Sequence, residues 1–321
     1  MKPRVTVVMP AYQAAWCVGA AVESVLWQTY TDLELVVVDD GSTDGTADVV
    51  SAHAGPVKLV RQENAGVAAA RNRGIAEAEG ELIAFCDADD LLLPHHLEAL
   101  AAVYDAHRGS LATANSYWLF PGGIHPSKVR YKGRFPAPDG QRRAILEQNF
   151  VSTLALFPRS LVDEVGPFDE ELRRAEDWDF WLRAIFSGRR VALQRRPLAL
   201  YRWGRSSLSA DRDGMDEARL AVYRKADARD DLTEEERAYV RRRLAGPGPI
   251  ELGRRGDEAL RAGRYAEAAR LYREAAALSP SERALVWKAR AMSVPRLAGP
   301  LVRARQLRIE RGVGYGDELA R

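Results

Sequence analysis

The sequence predicts an α/β fold, a mostly parallel sheet with helices on both faces, followed by an all-helical extension. Three observations predict it. Across the first hundred residues, short β-branched runs alternate with stretches carrying apolar residues at helical spacing, the pattern of strands joined by crossover helices. The strand-like runs are almost continuously apolar, as strands covered on both faces must be. Beyond residue 210 the strand pattern stops and only helical periodicity remains.

The elements follow in order. Val5 to Met9, Leu33 to Val38, Val57 to Val60 and Leu82 to Cys86 are apolar runs of strand length, with helical stretches Val18 to Gln28, Thr46 to Ala54 and Val67 to Ala78 between them. Ala112 to Tyr117 reads as a further strand. Pro121-Gly122-Gly123 and Pro136-Ala137-Pro138 then punctuate a long aromatic-rich connection that reads as a mobile lid. Helical and strand segments resume from Ala144 to Trp203, including Ser152 to Phe157 and the amphipathic Trp178 to Phe186. Asp213 to Asp230 reads as a helix, and Thr233-Glu234-Glu235-Glu236 is a capping box opening another that runs to Leu244. Gly246-Pro247-Gly248-Pro249 breaks the chain. After it, Ala259, Gly263, Tyr265, Ala268, Ala269, Tyr272, Ala275, Ala276 and Pro280 are spaced like one tetratricopeptide-type hairpin, where a self-supporting array needs about three.

Composition narrows the classes. The chain has 321 residues, 47 Lys and Arg against 45 Asp and Glu, and 46% apolar residues. That near balance gives no global field for nucleic acid, and the apolar content excludes intrinsic disorder. Arg241-Arg242-Arg243 leaves a local basic face for a peripheral membrane or protein partner through the C-terminal helices. Two cysteines, Cys17 and Cys86, cannot build a disulfide framework and suit a reducing cytoplasm. Neither a signal sequence nor an apolar run of roughly 20 residues is visible, so a soluble intracellular protein is expected.

The chemistry is concentrated after the strands, where ligands of such sheets bind. The second strand runs into Asp39-Asp40-Gly41-Ser42-Thr43-Asp44 and the fourth into Asp87-Ala88-Asp89-Asp90. Two like charges about 4 Å apart at an effective dielectric near 20 repel by roughly 4 kcal/mol, so such a cluster calls for a cation or a hydrogen-bonding ligand. Oxygen-only ligands point to Mg²⁺ or Mn²⁺, usually held by one or two carboxylates plus substrate phosphates. The bland reading, Asp-rich turns that only cap helices, suits either motif alone better than both together.

Five motifs in order carry a specific resemblance. Val7-Val8-Met9-Pro10-Ala11-Tyr12, Val38-Asp39-Asp40-Gly41-Ser42-Thr43-Asp44, Asn64-Ala65-Gly66 with Ala70-Arg71-Asn72, Asp87-Ala88-Asp89-Asp90 and Glu176-Asp177-Trp178-Asp179 resemble family 2 inverting glycosyltransferases of the Rossmann-like GT-A fold. The resemblance covers residues 5 to about 209. It implies a nucleotide-sugar donor, UDP or dTDP by family habit, and transfer of the sugar, with inversion, to a hydroxyl of a glycan, lipid-linked or small-molecule acceptor. By similarity, Pro10 and Tyr12 lie at the donor with Tyr12 stacking on the base, Asp39 or Asp40 accepts from the base N–H, and Arg71 helps hold the nucleotide. Asp87 would contact the ribose, Asp89 would bind the metal, and Asp177 would be the catalytic base. Residues 1–115 become the nucleotide-sugar half, 116–209 the acceptor half, and 210–321 a helical extension.

One departure stands out. Family members often carry Tyr-Arg-x-His after the last strand, whereas this chain has Tyr201-Arg202-Trp203-Gly204-Arg205. Arg202 or Arg205 is then the expected fork donor to the diphosphate. The missing histidine also motivates a second expectation, a non-catalytic nucleotide-sugar-binding scaffold recruiting a partner through its helices. The other acids of the Glu176 to Asp179 run suit a helix start, and Trp178 and Trp181 read as core. His95 and His96 read as the start of the following helix, not as metal ligands. No G-x-x-x-x-G-K-[ST] occurs, and the first strand–helix turn lacks G-x-G-x-x-G. Gly312, Gly314 and Gly316 read as a flexible tail.

Overall fold

The computed structural model describes residues 2–120, 122–204, 211–278 and 283–292, and the chain divides into two compact units, Met1–Val222 and Tyr223–Arg321. The first unit opens as strictly alternating β and α: β1 (Val5–Ala11), α1 (Val18–Leu26), β2 (Leu33–Asp39), α2 (Thr46–Ser51), β3 (Val57–Arg61), α3 (Val67–Ala76) and β4 (Leu82–Phe85). These four strands are parallel, with Val5 opposite Leu33 on one side and Leu82 on the other, and Leu35 opposite Val57. Every residue of β1 is buried, which explains why its run is apolar but for Thr6. On one face Val7, Val22, Leu35 and Leu97 share a core; on the other, Val36, Val38, Val60 and Ala70 pack together. Helix α3 lies so close to β1 that a Cβ on Gly74 would stand 2.3 Å from Val8 Cγ1.

The chain continues through β5 (Leu91–Leu92), α4 (His96–Ala106), β6 (Leu111–Phe120), β7 (Gly123–Val129), α5 (Gln141–Glu147), β8 (Ala155–Pro158), α6 (Leu161–Val165), α7 (Glu176–Phe186), β9 (Val191–Arg202) and α8 (Arg212–Asp227). Among the described residues the strands form one sheet, ordered β3-β2-β1-β4-β8-β6-β9-β5, with β7 added to β6. The α/β architecture expected from sequence is observed, but the sheet is mixed: among the described residues four strand pairings are parallel and four antiparallel. Strand β8 runs antiparallel to both β4 and β6, while β6 and β9 are parallel. The two-residue β5 pairs Leu91 with Leu200, pinning the segment just after Asp90 to the end of β9.

Some expectations are corrected. The connection after Phe120 is not all loop: Gly123, at φ 114°, turns the chain back and β7 pairs with β6. Helices α1, α2 and α3 stop two or three residues early, because backbone N–H groups of Trp27, Ala52 and Glu77 close the last turns. His95 and His96 do begin α4, and Trp178 and Trp181 are buried. Both cysteines are free and buried, and burial raises the Cys17 thiol to about 11 and that of Cys86 well above the ordinary range.

Phe157, Phe168, Phe180 and Trp181 form an aromatic cluster in which Phe168 and Phe180 stack at 4.3 Å. It seats α7.

In the second unit Thr233 caps α9 (Glu234–Ala245): its hydroxyl accepts from Glu236 N at 3.2 Å, and the Glu236 carboxylate accepts from Thr233 N at 2.9 Å. Helices α10 (Pro249–Arg261), α11 (Tyr265–Leu278) and α12 (Arg283–Met292) share a core of Leu252, Ala259, Leu271, Tyr272, Leu285 and Met292. The segment Arg205-Ser206-Ser207 and the glycines at 312, 314 and 316 lie outside the described residues. Among the described residues no helix is long and apolar enough to cross a membrane.

Candidate active site

The expected residues lie at or just after the carboxyl ends of β1, β2, β4 and β9, on α3 and at the start of α7, and Arg71 links the turn after β4 to Glu176. After β1 the chain is zipped to the loop after β2. Gln13 N donates to Ser42 Oγ at 2.9 Å, Gln13 Nε2 to Thr43 Oγ1 at 3.1 Å, and Thr43 N returns a bond to Gln13 Oε1 at 3.0 Å. Ala14 N and Ala15 N donate to Thr46 Oγ1 and Asp44 Oδ2. Gln13 adopts φ 51° to make these bonds, a left-handed conformation uncommon outside glycine. This leaves Tyr12 54% exposed at the edge, while Pro10 is buried in β1 opposite Val38.

Asp39 and Asp40 are both buried, and both already serve the chain. Asp39 accepts from Ser42 N at 3.0 Å and Arg61 Nε at 3.1 Å. Asp40 accepts from Gln62 Nε2, Ala65 N and Gly66 N at 2.8 to 2.9 Å. Their first role is therefore to hold the loop over Gly41, where φ is 78° and a Cβ would meet Asn64 N at 2.8 Å.

Arg71, expected to help hold the nucleotide, is enclosed by carboxylates of this chain. Its side chain is 3% exposed, pairing through Nη2 with Asp87 Oδ1 at 2.9 Å and through Nη1 with Glu176. The guanidinium lies 5.3 Å from the Phe85 ring and 5.7 Å from the Phe168 ring. Burial opposes its charge, but Asp87 and Glu176 hold it above its ordinary value. Arginine suits this place because its planar fork satisfies two carboxylates at once.

After β4, burial first and Asp87 second push the Asp89 carboxyl up to about 6, and burial with Asp87 and Asp89 pushes Asp90 well above the usual range. Asp90 Oδ1 accepts from Arg202 N at 2.8 Å, while Oδ2 is buried without a partner among the described residues. Arg202 Nε donates to the Asp89 carbonyl at 2.7 Å, and the guanidinium lies 5.2 Å from the ring of Trp16, which is 67% exposed. Arg202 thus holds the acidic turn. A Cβ on Gly204 would meet nothing within 4 Å.

The acids fit a divalent cation in one particular way. No group of three or more His, Cys, Asp or Glu that could hold a metal occurs among the described residues. Mg²⁺ and Mn²⁺ sites that share their coordination with substrate phosphates need only one or two carboxylates. Half-buried Asp89, its charge penalised by burial and by Asp87, is such a carboxylate.

Asp177 is half-buried at the second position of α7. Its Oδ2 accepts from Asn149 Nδ2 at 2.8 Å and its Oδ1 from Trp178 N at 2.8 Å. Burial raises its carboxyl, against the pull of Arg71, the Trp178 N–H and Arg130. The helix enters from Ala175 at φ 57°, a strained entry of a kind that clusters at functional sites. Asp179 pairs instead with Arg183. Sequence reasoning missed Gln13, Arg130, Asn149 and the bridging part of Glu176. Only Glu176 carried a signal, its place beside Asp177.

Cavity volume does not mark this site. A cavity of about 1060 Å³ lies at the opposite sheet edge, lined by Arg4, Glu81, Leu82 and Arg159 among others.

Residues 6–166 match the model of a family described as Glycosyl transferase family 2. The chain is 30% identical over 216 residues to the putative glycosyltransferase EpsH of Bacillus subtilis, a match covering 64% of this chain and 62% of that protein. It is 33% identical over 151 residues to the uncharacterized glycosyltransferase YibD of Escherichia coli, 44% of each. The chain therefore spans less than two thirds of either relative. Among solved structures, S. aureus TarS 1-349 in complex with UDP-GlcNAc aligns with a TM-score of 0.61 at 20% identity over 95% of this chain and 92% of that one. The mannosyltransferase PcManGT from Pyrobaculum calidifontis in complex with GDP-Man and Mn²⁺ aligns at 0.61 and 21% identity, over 93% and 86%. At such identities the likeness speaks for the fold.

Proposed function

Because the chain belongs to glycosyl transferase family 2, we propose that it transfers a sugar from a nucleoside-diphosphate donor to an acceptor hydroxyl, with inversion at the anomeric carbon. The observation that carries this reading is the Arg71 bridge, which joins Asp87, after β4, to Glu176 beside Asp177. The bridge ties the proposed donor carboxylate to the turn that carries the candidate base. The donor complexes of the structural neighbours, with UDP-GlcNAc and with GDP-Man, support a nucleotide sugar as the class.

Residues 1–115 hold the donor in this reading, 116–209 the acceptor, and 210–321 form a helical extension. Tyr12 stacks on the base above the loop that Asp39 and Asp40 fix. Asp87 meets the ribose. Asp177 takes the proton from the acceptor hydroxyl as that oxygen bonds to the anomeric carbon; the bond from that carbon to the diphosphate oxygen breaks, and its electron pair leaves with the nucleoside diphosphate. General-base catalysis of this kind contributes about 10² to 10⁴ in rate. Asn149 keeps the receiving carboxylate oriented. Asp89 would hold Mg²⁺ or Mn²⁺, which when bound would supply Lewis-acid stabilisation of the departing diphosphate. Arg202 keeps the Asp89–Asp90 turn in place and lends positive charge near it.

A panel of UDP-, dTDP- and GDP-sugars with Mn²⁺ tests the reading. Nucleoside diphosphate release above background for one donor, lost in Asp177→Asn, is expected. Equal background rates for every donor, with donor bound, rule transfer out.

A further inference from the structure

Glu176 lies one residue before the candidate base, yet its side chain is 8% exposed and engaged with Arg71. It is too enclosed to meet a substrate. What it does meet is the guanidinium that also holds Asp87, across 105 residues of sequence on one side and 16 on the other. Two aromatic rings flank that guanidinium and restrict its plane. Arg71 Nε is buried without a partner among the described residues, so the bridge is incompletely satisfied as a source of stability. Buried ion pairs are in any case poor stabilisers compared with apolar packing of the same volume. Just before Glu176, Ala175 takes a left-handed conformation; just after it, Asp177 is held by Asn149. The entry to α7 is thus fixed at three successive residues, and the middle one is fixed to β4.

We infer that Glu176 is a positioning residue: through Arg71 it locks the start of α7 to the Asp87 end of β4, so that a nucleotide bound at β4 also orders the helix turn carrying Asp177. The inference rests on the transfer reading for its catalytic meaning, but the mechanical link is measurable without turnover. The geometry explains why both ends are carboxylates. A single cation shared between two anions passes a change at one end to the other, which an apolar contact of the same size does not do.

The test uses the full chain with UDP and Mn²⁺ as probe, and GDP and Mn²⁺ where UDP does not bind. Hydrogen exchange is followed at the amides of residues 176–180, and kcat and donor KM are measured for the donor found active. In the wild type, the nucleotide slows exchange at this turn about 5-fold or more. In Glu176→Ala the slowing falls below about 2-fold, and kcat drops about 30-fold with donor KM within about 3-fold, as expected when a reacting group is misplaced while binding survives. Glu176→Gln preserves volume and an acceptor oxygen. It serves where the alanine variant does not fold, and is expected to lose about half the protection and about 5-fold in kcat. Equal protection in wild type and variants, no protection in the wild type, or a raised KM with unchanged kcat each overturn the inference. Protection that is lost in the variants of a chain that turns over no donor leaves the link standing and removes the transfer reading instead.

Discussion

Asn149 donates its side-chain amide to Asp177 Oδ2 at 2.8 Å, from a point 28 residues upstream. The bond favours the charged carboxylate, while burial favours the neutral acid. Asn149→Ala removes the first and leaves the second, so Asp177 holds its proton to higher pH. The acidic limb of the rate profile should move to higher pH. A profile of nucleoside diphosphate release against pH checks it; a downward shift contradicts the bond's direction.

Asp177→Asn should lower kcat by about 10² to 10⁴ while donor affinity changes little. Calorimetry of UDP or GDP with Mn²⁺, set beside turnover, separates the two. Parallel loss of binding would show that Asp177 holds the donor and is not a base.

Burial, with the Asp87 charge beside it, pushes the Asp89 carboxyl up to about 6. Above that pH it is a carboxylate ready for a cation, and below it the proton competes. Affinity for the Mn²⁺–nucleotide complex should therefore fall as pH drops from 8 to 5, and Asp89→Asn should bind weakly with a flat dependence. Binding curves at four pH values measure this.

The parallel core was legible because β1, β2 and β4 are largely buried on both faces and so are written as nearly continuous apolar runs. Strand β5 was not, since two residues carry no period, nor was β7, whose pairing depends on the turn at Gly123. Acid-rich strand ends announced the candidate site: Asp87 and Asp89 follow β4, and Arg71 links Asp87 to Glu176 beside Asp177. The enclosure of Arg71 was not legible because exposure is a tertiary property: nothing local says that Phe85, Phe168 and Glu176 close over it. Asn149 and Gln13 act through partners 28 and 29 residues away, a separation that leaves no local pattern.

His96 is buried, with Nδ1 3.1 Å from the Leu198 carbonyl, and burial lowers its pKa to about 4. In the unfolded chain it titrates near the ordinary 6.5. Its contribution to stability is complete above about 6.5 and is lost as pH falls toward 4, by up to about 3 kcal/mol. Denaturant titrations at pH 7 and pH 4.5 should show a smaller loss in His96→Leu than in the wild type.

Gly41→Ala should destabilise the first unit by about 1 to 3 kcal/mol, since a φ of 78° disfavours any side chain and the new methyl meets the Asn64 amide. Gly204→Ala, with open space around its Cβ, is the matched control and should leave the melting temperature unchanged. Thermal unfolding of both variants checks the pair.

The two buried, proton-retaining thiols have a practical side. At neutral pH the folded chain presents no cysteine that maleimides attack quickly, because Cys17 and Cys86 are enclosed and their thiolates are scarce. A cysteine introduced at an exposed position such as Glu63 would be the one fast-reacting handle, so a fluorophore or spin label can be attached beside the nucleotide loop without first stripping the native sulfurs.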